Sequence, residues 1–85
     1  LDEARKALAS EYLRESKLEE SLRILRAARD TKDTQLIVML AGVLLQKGDT
    51  ANAQREVRRA LAIQPDDADA LRLKQEILDQ SNATK

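Results

Sequence analysis

Residues 34–67 read TQLIVMLAGVLLQKGDTANAQREVRRALAIQPDD. Apolar residues recur at helical spacing on both sides of Gly48, and that glycine predicts a left-handed cap that ends the first of two helices. The first runs from about Thr34 to Lys47. Asp49 or Thr50 starts the second, which carries Ala53, Val57, Ala60 and Leu61 to about Ile63. Pro65 forbids continuation, and Asp66 and Asp67 supply the next cap. A linker this short between two helices makes them antiparallel neighbours.

Working outward, the upstream chain repeats the pattern. Ile37, Leu40, Ala41, Leu44, Ala53, Val57 and Ala60 fall on Arg5, Leu8, Ala9, Tyr12, Ser21, Leu25 and Ala28 after a shift of 32 residues. In both units the second and third small residues follow the first by 12 and 19 positions. Small residues at that spacing let two backbones approach closely, so Ala41 is expected against Ala53 and Ala9 against Ser21. Leu8, Tyr12, Leu25, Leu40, Leu44 and Val57 are then expected to form a continuous core between units. The first helix is read from about Asp2 to Glu15. Ser16 and Glu19 read as a capping box for a second helix that reaches about Arg29, and the polar run Asp30-Thr31-Lys32-Asp33 separates it from the third. Downstream, a fifth helix spans about Ala68 to Gln80, and Ser81-Asn82-Ala83-Thr84-Lys85 reads as a fraying tail.

Composition agrees with an all-α chain and narrows its chemistry. The 85 residues hold one proline, two glycines and 35% charged side chains, which suits Ala/Leu/Arg/Glu-rich helices and a single thin-cored domain. Tyr12 is the lone aromatic, so Leu, Ile, Val and Ala must fill the core. Formal net charge is zero, and no whole-molecule field draws it to nucleic acid or an anionic membrane. Without cysteine or histidine there is no disulfide framework, and the commonest general base and metal ligand are missing. No catalytic residue, cofactor site or metal site is expected, and the reading is of a protein that is not an enzyme. The longest apolar run, Leu36 to Leu45, is half of the roughly 20 residues a membrane-spanning helix needs. The first residue is Leu1 rather than Met, so the chain is read as part of a longer protein, with the compartment left open between cytoplasm and periplasm.

With its large-Leu-small-large, then Ala-large-small-Pro order, the chain resembles the tetratricopeptide repeat family over about Asp2 to Gln80. The resemblance implies antiparallel helical hairpins stacked as a short right-handed α-solenoid of five helices. Hairpin 1 is placed at about 2–29, hairpin 2 at about 34–63 and a capping helix at about 68–80, all in one domain, with residues 81–85 a flexible tail. Arg5 stands where the family has a large residue, which suggests that nothing packs outside the first helix. Leu71 and Leu78 keep the pattern on the fifth helix, while Lys74 and Gln75 break it and give the polar face a terminal helix needs.

Such proteins bind extended peptides or helices of partners in a concave groove lined by the first helix of each hairpin. Position by position, this makes Lys6 and Ser10 candidates on the first helix, Val38, Met39, Gly42 and Leu45 on the third, and Asp69, Arg72, Leu73 and Glu76 on the fifth. One subclass grips a C-terminal carboxylate through Lys, Asn, Asn, Lys and Arg. Here Lys6 keeps the first place, but Ser10, Met39, Asp69 and Leu73 occupy the others, so that clamp is absent. Any ligand is then expected to be held by apolar contact with a polar rim.

The third helix is apolar nearly all round, which fits either burial by neighbours on both sides or an apolar docking or self-association surface. Arg23 and Arg26 correspond to Arg55 and Arg58, with Arg29 and Arg59 nearby. They read as a solvated face or, alternatively, as a basic stripe for phosphate or an acidic partner. The pairs Asp66/Asp67 and Glu19/Glu20 lie at helix starts, where capping and the helix dipole account for them. Asn82-Ala83-Thr84 fits a glycosylation sequon, which has meaning only in a secretory pathway. The function expected is a protein-interaction module of a larger bacterial scaffold or assembly protein in secretion, pilus or envelope biogenesis. The alternative is a homo-oligomerisation domain built on the third helix. Partners are a protein or peptide, or a second copy, with neither nucleic acid nor membrane insertion.

Overall fold

Asp2 and Glu3 in the first turn and Arg14 in the last complement the dipole of the opening helix, α1 (Asp2–Arg14). It is the first of five in a computed structural model that describes residues 2–83, with side chains through Gln80. The others are α2 (Leu18–Ala27), α3 (Thr34–Gln46), α4 (Thr50–Ile63) and α5 (Ala68–Ala83). The α5 backbone stays helical three residues beyond the expected end at Gln80. The side chains of the sequon Asn82-Ala83-Thr84 lie outside the described residues.

The punctuation between helices follows the expected chemistry at all but one junction. At the end of α3, Gly48 has φ +85°, its N–H donates to the Leu45 carbonyl and the Asp49 N–H donates to that of Leu44 (3.0 and 2.9 Å). This is the double hydrogen bond of a left-handed helix cap. Asp49 then caps α4 by accepting from the Asn52 N–H at 3.3 Å, and Asp67 caps the start of α5 by accepting from the Ala70 N–H at 2.9 Å. Asp33 accepts from the Gln35 N–H at 2.9 Å to start α3.

The exception is Ser16, which forms no capping box. It sits at φ +61°, and the residue that enters α2 is Lys17, with no side-chain cap. The Ser16 N–H donates to Leu13 and the Lys17 N–H to Tyr12, at 3.0 and 2.8 Å. Ser16 therefore closes α1 as Gly48 closes α3, and the two positions lie 32 residues apart. A residue committed to reversing the chain after α1 stands one place too early to cap α2. The second helix also ends sooner than Arg29: Ala28 and Arg29 donate to carbonyls three residues back, the tight last turn of an ending helix.

α1 packs against α2 and α3 against α4, while α2 on α3 and α4 on α5 join the hairpins. α3 touches all four other helices, and Leu36, Ile37, Leu40, Ala41, Val43 and Leu44 are buried on it. Ala9, Ser21, Ala41 and Ala53, the four small residues expected to permit close approach, are each at most 1% exposed. The Ser21 hydroxyl keeps its hydrogen bond in this dry setting by donating to the Leu18 carbonyl at 2.8 Å.

Four of the six large residues assigned to the inter-unit core, Leu25, Leu40, Leu44 and Val57, are buried. Leu8 is not: it is 43% exposed, and Tyr12 is half-buried. Their counterparts Leu40 and Leu44 pack under α2, whereas no described helix precedes α1 to cover Leu8. On α5 the buried residues are Ala70 and Ile77, and Leu73 packs in part against the core that holds Ile77, while the pattern-keeping Leu71 and Leu78 are 44% and 45% exposed. Lys74 and Gln75 are exposed on the same helix.

Candidate functional site: a groove along the first helices

α1, α3 and α5 line a groove with two connected ends. One end is a cavity of about 360 Å³ lined by Leu13, Met39, Gly42, Val43, Leu45, Gln46, Leu73, Glu76 and Gln80. The other, about 300 Å³, is lined by Lys6, Ser10, Gln35, Val38, Met39, Asp67 and Asp69. Met39 borders both. Nine of the ten residues chosen from the sequence line one end or the other. Arg72 lines neither and pairs with Asp69 at the rim instead. Leu13, Gln35, Val43, Gln46, Asp67 and Gln80 join the wall without having been among the groove candidates. A signal for two of them lay in the spacing, because Leu13 follows Ser10 by three residues and Gln80 follows Glu76 by four on the same helix faces.

The two ends differ in what they leave unused. At the polar end the Lys6 ammonium has Glu3, Asp33 and the Gln35 side-chain oxygen at 2.8, 2.9 and 2.8 Å, which engages all three of its N–H groups within the chain. Hydrogen bonds to Glu3 and Asp33 hold its pKa above the ordinary lysine value. The same ammonium, followed by the Gln35 backbone N–H, holds the Asp33 carboxyl below the usual carboxylate range. Lys6 is thus a strut between α1 and the start of α3. Asp67 is occupied by the Ala70 N–H and Asp69 by Arg72. At the apolar end, Leu13, Met39, Leu45 and Leu73 pack against the core only in part and turn their remaining surface to the cavity. Burial by neighbours accounts for most of the apolar surface of α3, and Val38, Met39 and Leu45 are what it leaves half-exposed.

A further cleft of about 410 Å³ lies between α4 and α5, lined by Val57, Leu61, Ala62, Ile77 and Leu78 with Gln54, Arg58 and Lys74 at its edge. Among the described residues no group of three or more acidic, cysteine or histidine side chains is placed to hold a metal ion. No described helix is long and apolar enough to cross a membrane.

Paired hairpins, buried small residues at matching positions of the two units, and left-handed turns at two positions 32 residues apart define a helical-repeat protein. The tetratricopeptide repeat family model matches residues 12–77, and the chain belongs to that family. Tetratricopeptide repeats generally mediate protein–protein interactions. No curated protein and no solved structure matches the chain.

Proposed function

We propose that this domain binds an amphipathic segment of a partner protein along α1, α3 and α5, with one or two large apolar side chains of the partner inserted between Met39, Leu45, Leu13 and Leu73. The observation that carries this reading is the contrast between the two ends of the groove. Every charged group at the polar end that has a described contact is already partnered within the chain, so a ligand gains little by competing for it. The apolar end offers surface that only another apolar group can remove from water, at roughly 25 cal/mol per Å². A cavity of about 360 Å³ has room for one or two branched or aromatic side chains.

The setting we propose is a larger bacterial scaffold or assembly protein of secretion, pilus or envelope biogenesis. It rests on the Ala-, Leu-, Gln- and Arg-rich residue usage and on the roles of tetratricopeptide modules at large. The half-exposed Met39 and Leu45 also support a second reading, in which a second copy fills the groove. Peptide selection from a random display library separates the two when Met39→Glu and Leu45→Glu serve as counter-targets. Recovery of apolar-anchored peptides that bind the natural sequence and neither folded variant supports partner capture. A dimer in sedimentation that either variant converts to a folded monomer overturns it in favour of self-association.

A further inference from the structure

The arginines of the second helices do not form one stripe. Arg23 lies beside Glu19 and Glu20, and Arg58 lies at the α4–α5 cleft beside Gln54 and Lys74. The other four, Arg26, Arg29, Arg55 and Arg59, converge on a single cavity of about 320 Å³ between α2 and α4, on the side of α3 away from the groove. Its apolar lining is Leu40 and Leu44, both buried, and an apolar floor of low polarisability strengthens charge interactions above it relative to open water.

The walls are held by contacts within the chain. Arg59 pairs with Glu56, the one carboxylate in the lining, at 3.1 Å, and it donates to the backbone carbonyls of Arg29 and Thr31. It is a positioning residue that fixes the turn carrying Arg29. Arg55 donates to the Asn52 side-chain oxygen, and Asn52 is in turn held by the Asp49 carboxylate at 2.7 Å. Asp49 stays outside the lining, and its carboxyl is held below the ordinary range first by Asn52 and more weakly by Arg26 and Arg55. Arg26 and the Arg29 guanidinium have no acceptor among the described residues, and Arg55 has Asn52 alone.

We infer that this cavity is a binding site for a compact phosphoryl-type dianion. A guanidinium presents a planar fork of donors that matches phosphate oxygens in pairs. One such fork satisfies a carboxylate, whereas three converging forks with unspent donors match a group with three acceptor oxygens and close to two charges. The lining has no aromatic ring on which a base stacks.

The phosphoryl group has two possible sources, the free ion and a phosphorylated side chain. Side-chain Nε–H signals of Arg26, Arg29 and Arg55 are followed by NMR on the whole chain at constant ionic strength. Inorganic phosphate, acetyl-phosphoserine methylamide and acetyl-glutamate methylamide are titrated separately. The expected result is saturable shifts of these three arginines with phosphate, phosphoserine or both, and weaker binding of the glutamate compound. Tighter binding of the phosphoserine compound than of phosphate assigns the site to a modified side chain on a partner, and equal or weaker binding assigns it to the free ion. Arg26→Gln and Arg55→Gln, each checked for retained helicity, weaken binding by about tenfold, the size of one charge-assisted contact, while Arg23→Gln leaves it unchanged. Non-saturating shifts with all three compounds, equal affinity for the glutamate compound, or equal loss in Arg23→Gln overturns the proposal.

Discussion

Replacing Ser16 by glycine is expected to stabilise this protein. Ser16 sits at φ +61°, where the Cβ of an L-residue crowds the following carbonyl at a cost of roughly 1–2 kcal/mol. Glycine escapes that cost but loses more backbone entropy on folding, roughly 0.5–1 kcal/mol. The Ser16 hydroxyl makes no hydrogen bond among the described residues, so no side-chain contact is sacrificed, and the expected net gain is about 0.5–1 kcal/mol. For a domain of this size the melting temperature rises by roughly 2–8 °C. Gly48→Ser is the mirror experiment. Gly48 has φ +85° and a Cβ built there meets nothing within 4 Å, so the loss reflects backbone conformation alone. The two turns are separate, and the double variant Ser16→Gly/Gly48→Ser is expected near the starting stability. Urea unfolding followed by helix circular dichroism reads all three midpoints. An unchanged or lower midpoint for Ser16→Gly at constant slope refutes the left-handed assignment and restores Ser16 as a cap of α2.

Three further outcomes are checked by the same unfolding assay. Leu40→Ala is expected to cost about 2–5 kcal/mol, and Leu8→Ala at the equivalent position of the first repeat less than about 1, because only Leu40 is buried. Ala41→Leu wedges α3 away from α4 and costs about 1–3 kcal/mol. The third concerns pH. Asp33 has a folded pKa below its ordinary value of 3.8, so its contribution is present above that value and fades as pH falls through the folded one. Lys6 is raised above 10.5, so its contribution holds below that value and fades as pH rises through the folded one. Asp33→Asn, which keeps an oxygen to cap α3, is therefore less stable than the natural sequence at neutral pH, and the gap closes in strong acid. A gap that persists unchanged when the carboxylate is protonated contradicts the ion-pair assignment.

What the sequence made legible was whatever depends on spacing along one helix. The small residues Ala9, Ser21, Ala41 and Ala53 marked positions that are fully buried, and Gly48, Asp49 and Pro65 revealed the turns, because each turn residue acts through its own backbone or its nearest neighbours. The nine groove residues were reachable because the first helices of a repeat share one register. Leu8 was misplaced because burial depends on what lies across from a helix, and its own pattern is the same as that of buried Leu40. Ser16 was misread because its hydroxyl suits a cap and only φ reveals the left-handed turn. Lys6 looked like a gripping residue because its three acceptors come from two helices, with Asp33 and Gln35 lying 27 and 29 positions downstream. The convergence of four arginines likewise depends on how α2 and α4 face each other, which no single helical register contains.

The measurement closest to the central claim is a backbone amide shift map of the labelled protein with a display-selected peptide. Shifts concentrated at Leu13, Met39, Gly42, Leu45 and Leu73, and abolished by Leu45→Glu, are the predicted result. Shifts confined to the α4–α5 cleft or to the arginine-lined cavity, with these five residues unmoved, would contradict it.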